Sequence, residues 1–119
     1  MLNLDTHILI FALEGRLTRR ERQLLSSSLW SISAIVLWEL SKLLQLGRIS
    51  VDVASPEFAL ALSQIRVWPL DLAVCKAIRT LDFRGDPADE IIAATSLVHN
   101  VPLLTRGRRI RASKRVPLA

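Results

Sequence analysis

The sequence predicts an α/β fold in which a short, mostly parallel central sheet is covered by helices on both faces, as a three-layer α/β/α sandwich. Apolar segments that suit buried strands alternate along the chain with segments of helical periodicity. Half of the 119 residues are hydrophobic, which is enough for a well-packed core. No repeat, low-complexity tract or long linker divides the chain, so we expect a single domain over residues 1–119.

Glycines and capping residues delimit the elements of the first half. Thr18 and Glu21 have the spacing of a capping box, which starts a helix. The predicted elements are, in order, a strand at Met1 to Leu4, a helix at Thr6 to Glu14 closed by Gly15, a helix from Thr18 to about Ser26, a strand at "LWSIS", and a helix from about Ala34 to Leu46 ended by Gly47.

The second half continues the alternation. Ser55, Pro56 and Glu57 form a typical helix start, and Pro69 limits the pairing of the strand around it. The predicted elements are a helix at "SPEFALALSQI", a short strand at "RVWPL", a helix at "DLAVCKAIRTL" capped by Asp71, a helix at "DPADEIIAATSLVHN", a strand at "VPLLT", and a further edge strand at "RVPLA" after the basic tail.

Charge and cysteine content narrow the class of protein. The net charge is +5, and residues 106–115 contain six basic residues and no acidic one. Such a cluster suits a polyanion such as nucleic acid, although a solubilising surface or an acidic protein partner explains it equally well.

The longest apolar run, Ile8 to Leu13, is too short to cross a bilayer, and no secretory signal is evident. The single Cys75 fits a reducing compartment, so we expect a cytoplasmic protein, with this thiol packed in an apolar pattern.

Three carboxylates occupy positions where apolar packing would favour a neutral residue. Asp5 directly follows the first strand, and in open parallel sheets ligands bind beyond the carboxyl ends of the strands. Glu39 lies beside the apolar stripe of its helix, where an ion pair with Lys42 is the alternative explanation. Asp89 has small or apolar neighbours one helical turn away.

Carboxylates that meet without countercharge repel one another, and a hard divalent cation removes this conflict. No cysteine or histidine cluster offers a zinc site instead, which favours Mg²⁺ or Mn²⁺ held by oxygen ligands. Asp86, one turn before Asp89, is a further candidate ligand, although its position also suits a helix N-cap. His7 is a conceivable catalytic base, but a structural or solvent-facing role is favoured.

Four segments in order resemble the motifs of the PIN-domain ribonucleases, particularly the VapC-like toxins of bacterial and archaeal toxin–antitoxin pairs. The resemblance covers essentially the whole chain, which implies a PIN-like fold. The segments are "LDTHILIFAL" with Asp5, "SAIVLWELSKL" with Glu39, "DPADEIIAATSL" with Asp89, and "VPLLTRGRRIR".

The resemblance implies metal-dependent endonucleolytic cleavage of RNA. Asp5, Glu39 and Asp89 are then the catalytic acids that hold Mg²⁺ or Mn²⁺, with Asp86 as an additional ligand. It also implies a homodimer and a cognate antitoxin that covers the acidic site. The residues expected to contact bound water or the RNA backbone are Thr6, Thr105, Arg106, Arg108 and Arg109.

One motif departs from the family pattern. The family usually has an acid two residues after the threonine of the last motif, and here that position is Gly107. Asp86 is the candidate replacement. A PIN-like protein that binds antitoxin or RNA without cleavage is therefore the alternative function. A phosphotransferase with paired acids at its strand ends fits less well, because no second acid adjoins Asp5.

Overall fold

The computed structural model describes all residues from 1 to 119. The strands are β1 (Leu2–Leu4), β2 (Trp30–Ser33), β3 (Arg66–Trp68) and β4 (Leu103–Leu104). The helices are α1 (Thr6–Leu13), α2 (Arg19–Ser26), α3 (Ala34–Gln45), α4 (Pro56–Ser63), α5 (Leu72–Ile78), α6 (Pro87–His99) and α7 (Arg108–Arg111).

The strands form one fully parallel sheet in the order β3-β2-β1-β4. Asn3 pairs with Ser31 on one side and with Leu103 on the other, so β1 lies in the interior of the sheet. All three residues of β1 are buried, as expected for a parallel strand covered on both faces. The predicted α/β sandwich with a short parallel sheet is confirmed.

The core forms where α1, α3 and α6 pack on this sheet. Its fully buried members include Leu4 and Ile32 from the strands and Ile8, Val36 and Ile92 from the helices. Each of these helices follows the carboxyl end of a strand or packs beside one, so the helix starts gather at one edge of the sheet. That edge is where the polar residues of the sequence motifs lie.

Several element boundaries differ from the sequence predictions. The predicted strands at 66–70 and 101–105 contain only three and two ladder residues, because each contains a proline that cannot donate to a sheet. The predicted edge strand at 115–119 is reduced to one parallel bridge between Leu103 and Leu118. The four-residue α7 was not predicted, and Cys75 is exposed rather than packed. No helix is both long and apolar enough to cross a membrane.

Candidate active site

The polar motif residues are delivered to one edge of the sheet by the parallel topology. Asp5 follows β1 and occupies the N-cap of α1. Thr105 follows β4, and Asp86 occupies the N-cap of α6. Because the carboxyl ends of parallel strands lie at the same edge, residues distant in sequence meet there.

A cavity of about 380 Å³ opens at this edge. All four acids that the sequence predicted as metal ligands line it, together with three residues of the last motif region and two of α1. The lining residues are Asp5, His7, Phe11, Glu39, Asp86, Asp89, Arg106, Gly107 and Ile110. We call it the acidic cavity. The four acids thus share one cavity, as the sequence suggested.

Two threonines hold two of the acids in place. Thr105 Oγ1 donates to Asp5 Oδ2 at 2.6 Å, and the backbone N–H of Thr6 donates to Asp5 Oδ1 at 2.7 Å. Thr6 Oγ1 donates a short hydrogen bond to Glu39 Oε1. Both threonines are buried. Their hydroxyl groups orient the carboxylates of the cavity, and the predicted contact with water or phosphate stays a prediction.

The acids have no basic partner within ion-pair distance. The only ion pairs in the chain join Arg16 to Glu14 and Arg106 to Glu21. The alternative explanation of Glu39 is wrong, because Lys42 Nζ donates to Gln45 instead. Asp86 has the predicted N-cap position, but its side chain makes no capping hydrogen bond.

Burial and mutual repulsion disfavour ionisation in the cavity. Desolvation, followed by the charges of Asp5, Glu39 and Asp86, raises the pKa of Asp89 to about 6. Desolvation is also the largest cause that raises the pKa of Glu39, with Asp5 adding to it, while the hydrogen bond from Thr6 acts in the opposite direction. Negative charge is therefore concentrated here at a cost in free energy that a cation would relieve.

The donor set fits Mg²⁺ or Mn²⁺ better than a softer metal, because it consists of carboxylate oxygens and contains no cysteine. No group of three His, Cys, Asp or Glu side chains is arranged so that it could hold a metal ion by itself. This is compatible with Mg²⁺, which keeps several waters and commonly uses only one or two carboxylates together with substrate phosphates.

Arg106 forms part of the cavity wall and is not a free cation. Its Nη2 donates to Glu21 Oε1 at 2.7 Å and its Nε to Glu21 Oε2 at 2.8 Å, a bidentate pair. Its guanidinium lies 4.1 Å from the centroid of the Phe11 ring. These hydrogen bonds are the largest cause that lowers the pKa of buried Glu21 to about 2.

The other predicted phosphate contacts differ in position. Arg109 donates to the carbonyl of Arg84. A side chain at Gly85 would lie within 4 Å of both Asp89 Cβ and Arg109 Cδ, so Arg109 is close to the acid cluster. Arg108 is exposed and lines no cavity.

Sequence reasoning missed three residues of this site. Glu21 was recognised only as a capping-box residue, since its partner Arg106 lies 85 positions away. Phe11 was assigned no role. His7 was given a structural or solvent-facing role, yet it lines the cavity, and its charge lowers the pKa of both Glu39 and Asp89. Its spacing of two from Asp5 was the only available signal.

Comparison with known proteins agrees with this geometry. The family model described as the PIN domain matches residues 3–115, nearly the whole chain. The chain belongs to the PIN domain family. No curated protein sequence matches this PIN domain.

Solved structures share the PIN domain's architecture. The structure of VapBC2 from Rickettsia felis bound to a promoter DNA fragment matches with a TM-score of 0.74 at 18% identity, covering 100% of this chain and 98% of the other. A toxin–antitoxin complex from Klebsiella pneumoniae gives 0.71 at 23% identity, with coverages of 94% and 91%. FitAcB from Neisseria gonorrhoeae gives 0.70 at 23% identity, with coverages of 99% and 96%. At these identities the likeness establishes the fold.

The first prediction concerns Glu21→Gln. Because the folded-state pKa of Glu21 lies below its ordinary value of 4.5, its ionised form stabilises the fold above about pH 4.5, and that contribution is lost as the pH falls toward 2. We expect Glu21→Gln to lower the free energy of unfolding by about 1–3 kcal/mol at pH 7 and by much less near pH 2, measured by urea unfolding. Glu14→Gln, which removes only an exposed pair, is the control. An equal loss for Glu21→Gln at both pH values contradicts the prediction.

The second prediction concerns Asp89→Asn. Since the folded-state pKa is raised to about 6, the charged form opposes folding, and this cost grows as the pH rises from about 4 through 6. Without divalent metal, Asp89→Asn should stabilise the protein by about 1–3 kcal/mol at pH 8 and have no such effect at pH 3.5.

Added Mg²⁺ should raise the melting temperature of the parent more than that of Asp89→Asn, because the ion binds the folded carboxylates. The exposed Glu57→Gln variant should match the parent throughout. If Asp89→Asn destabilises the protein at pH 8 without metal, the ionised Asp89 carboxylate is not repelled by its neighbours as proposed.

Proposed function

We propose that this PIN domain is a metal-dependent endoribonuclease that hydrolyses RNA phosphodiester bonds and serves as the toxin of a toxin–antitoxin pair. The observation that carries the proposal is the acidic cavity, in which four carboxyl groups without ion-pair partners meet at the carboxyl edge of the sheet. Family membership supports a nuclease, and the solved complexes support a toxin fold.

In this proposal Asp5, Glu39 and Asp89 are the catalytic acids that hold Mg²⁺ or Mn²⁺, directly or through ordered water, with Asp86 as a further ligand from the same cavity. When bound, such an ion supplies Lewis-acid stabilisation of charge on the phosphoryl oxygens and lowers the pKa of a water nucleophile. Thr105 and Thr6 keep the Asp5 and Glu39 oxygens facing the cavity, and thus restrict the positions from which they can bind.

The cations around the cavity counter the repulsion between the acids and the substrate phosphates. Arg109 is near the acid cluster, since its Cδ and Asp89 Cβ both lie within 4 Å of where a Gly85 side chain would begin, and it is a candidate for a phosphate contact, while Arg108 is exposed for a peripheral one. Arg106 is paired with Glu21, so it adds no net positive charge to the wall, although its guanidinium is held at a fixed position there. The expected role of Arg108 and Arg109 is to raise the local concentration of a polyanion and to orient its backbone.

A non-catalytic PIN protein is the second candidate function. Gly107 favours it, because the position that usually carries an acid has none. Gly107 has φ −64° and ψ 119°, which any residue adopts, so the backbone itself does not require glycine. Asp86 lines the same cavity and is the group on this chain that can take over the missing negative charge.

We further propose a cognate antitoxin and a homodimer as partners. The structures from Klebsiella pneumoniae and Rickettsia felis support the antitoxin, since they are a toxin–antitoxin complex and a VapBC assembly. A basic residue from such a partner would take the place of the metal's charge. Exposed apolar side chains on α3 and just after it, Trp38 and Leu46, provide surface for one of these contacts. A cytoplasmic location also stays a prediction.

The third prediction tests the proposed activity. Purified protein incubated with structured RNA should cut it in Mg²⁺ or Mn²⁺ and not in EDTA. Asp5→Asn should lower the cleavage rate at least about 100-fold, because Asp5 is both a proposed metal ligand and the acceptor of two hydrogen bonds that order the site. Cleavage products separated on a denaturing gel give the rate.

Glu57→Gln removes an exposed carboxylate far along the chain on α4 and should cleave like the parent. RNA binding without cuts across metals and substrates would instead support the non-catalytic candidate.

A further inference from the structure

A second cavity of about 240 Å³ adjoins the acidic cavity. The two share His7 and Phe11 in their walls, so the Phe11 side chain separates them. The lining of the second cavity combines apolar residues with two arginines and one acid. Its members are His7, Ile10, Phe11, Glu14, Arg16, Leu43, Arg48 and Ile49. We call it the Phe11 cavity.

Its two arginines are placed by the same backbone device at the ends of two different helices. After α1, Gly15 has φ +69°, and the N–H of Arg16 donates to the carbonyl of Phe11 at 2.7 Å. After α3, Gly47 has φ +70°, and the N–H of Arg48 donates to the carbonyl of Leu43 at 2.9 Å. Both are Schellman-type endings, in which a left-handed residue, best supplied by glycine, reverses the chain. Each delivers the following arginine to the Phe11 cavity.

These arginines are only weakly engaged within the chain. A basic residue at a helix end often binds the last carbonyl groups, but the guanidinium of neither Arg16 nor Arg48 does so. Arg48 has no side-chain hydrogen bond. Arg16 bonds only Glu14, at 3.4 Å, and 67% of its side chain is exposed. Exposed pairs of this kind contribute about 0–1 kcal/mol, so a phosphate can displace the contact.

Phe11 is not explained by core packing. It is partly exposed and is absent from the core cluster and from the side chains packed against it. Arg106 lies over its ring from the side of the acidic cavity, and Arg16 lies 5.3 Å from the ring centroid. An aromatic ring, apolar side chains and two arginines in one lining suit a nucleotide, whose base is flat and largely apolar and whose phosphate is anionic.

We propose that the Phe11 cavity binds one nucleotide of single-stranded RNA, next to the phosphate that occupies the acidic cavity. The base packs against Phe11 and the apolar side chains of Ile49 and Leu43, and the neighbouring phosphate binds Arg48 and Arg16. The inference rests on the proposed ribonuclease function. A volume of about 240 Å³ is below the roughly 300–1,000 Å³ of complete ligand sites, which fits one unit of a longer strand.

The nucleotide in the Phe11 cavity has to be unpaired. A base can enter the cavity only if it is turned away from its neighbours, because duplex RNA keeps its bases stacked inside the helix. A protein segment is the rival occupant, and it would not depend on the presence of a base.

The test measures binding of a fluorescent single-stranded RNA to the full chain by anisotropy, in EDTA to prevent cleavage. Arg48→Gln should weaken binding about 3- to 10-fold and reduce the slope of log K against log salt by about 0.7, the value for one lost phosphate contact on a single strand. Phe11→Leu should weaken binding about 5- to 10-fold, and Phe11→Tyr should restore it. Lys76→Gln, which removes an exposed cation that lines no cavity, is the control with the same loss of charge.

A series of RNAs with a single abasic position locates the nucleotide. The parent should lose affinity at one position next to the cleavage site, and Phe11→Leu should show no added loss there. If circular dichroism shows that Phe11→Leu is unfolded, the salt dependence of RNA binding by Arg48→Gln tests the inference. If the parent cuts and binds RNA, and both Arg48→Gln and Phe11→Leu bind RNA like Lys76→Gln, the inference is wrong and the proposed function stands. A protein segment would then be the occupant of the Phe11 cavity. A parent that neither cuts nor binds RNA overturns the proposed function as well.

Discussion

Repulsion between buried or half-buried carboxylates is the constraint around which this molecule is arranged. A parallel sheet brings Asp5 and the start of α6 to the same edge, and α3 adds Glu39. Such a cluster is unfavourable for folding, as the raised pKa of Asp89 shows. The rest of the fold supports this arrangement with a covered sheet and with hydrogen bonds that orient the carboxylates of Asp5 and Glu39.

Neutral hydroxyl groups and a charged guanidinium surround the acids, and they affect the negative charge of the cavity differently. Thr6 and Thr105 stabilise carboxylates through hydroxyl groups, which orient the oxygens without cancelling their charge. The nearby guanidinium of Arg106 is committed to Glu21, which keeps it from neutralising Asp5 or Asp89. The cavity consequently retains its negative potential while having a cation on its wall.

Local sequence signals predicted the layers, the parallel sheet and most helix starts. Capping residues such as Thr18 and Ser55, and closing glycines such as Gly15, act within a few residues, so their effect can be read directly. Asp5, Glu39 and Asp89 were also found, because each breaks an apolar pattern, and Asp86 was found because it lies one helical turn from Asp89. Contacts across the chain could not be predicted, such as the pair of Glu21 with Arg106, since the periodicity of each segment carries no information about its distant partner. Short elements were misjudged for a related reason: α7 and the ends of β3 and β4 depend on packing more than on propensity.

The two-residue strand β4 links residues 117–119 to the acids. The N–H of Leu103 donates to the carbonyl of Pro117 at 2.8 Å, and the carbonyl of Leu103 accepts from the N–H of Ala119 at 3.0 Å. The same strand leads directly to Thr105, whose hydroxyl holds Asp5. Residues 117–119 therefore hold β4 on the side away from β1, and so help to position Thr105. A change in residues 117–119 that breaks these two hydrogen bonds would reach Asp5 through a chain of only a few hydrogen bonds.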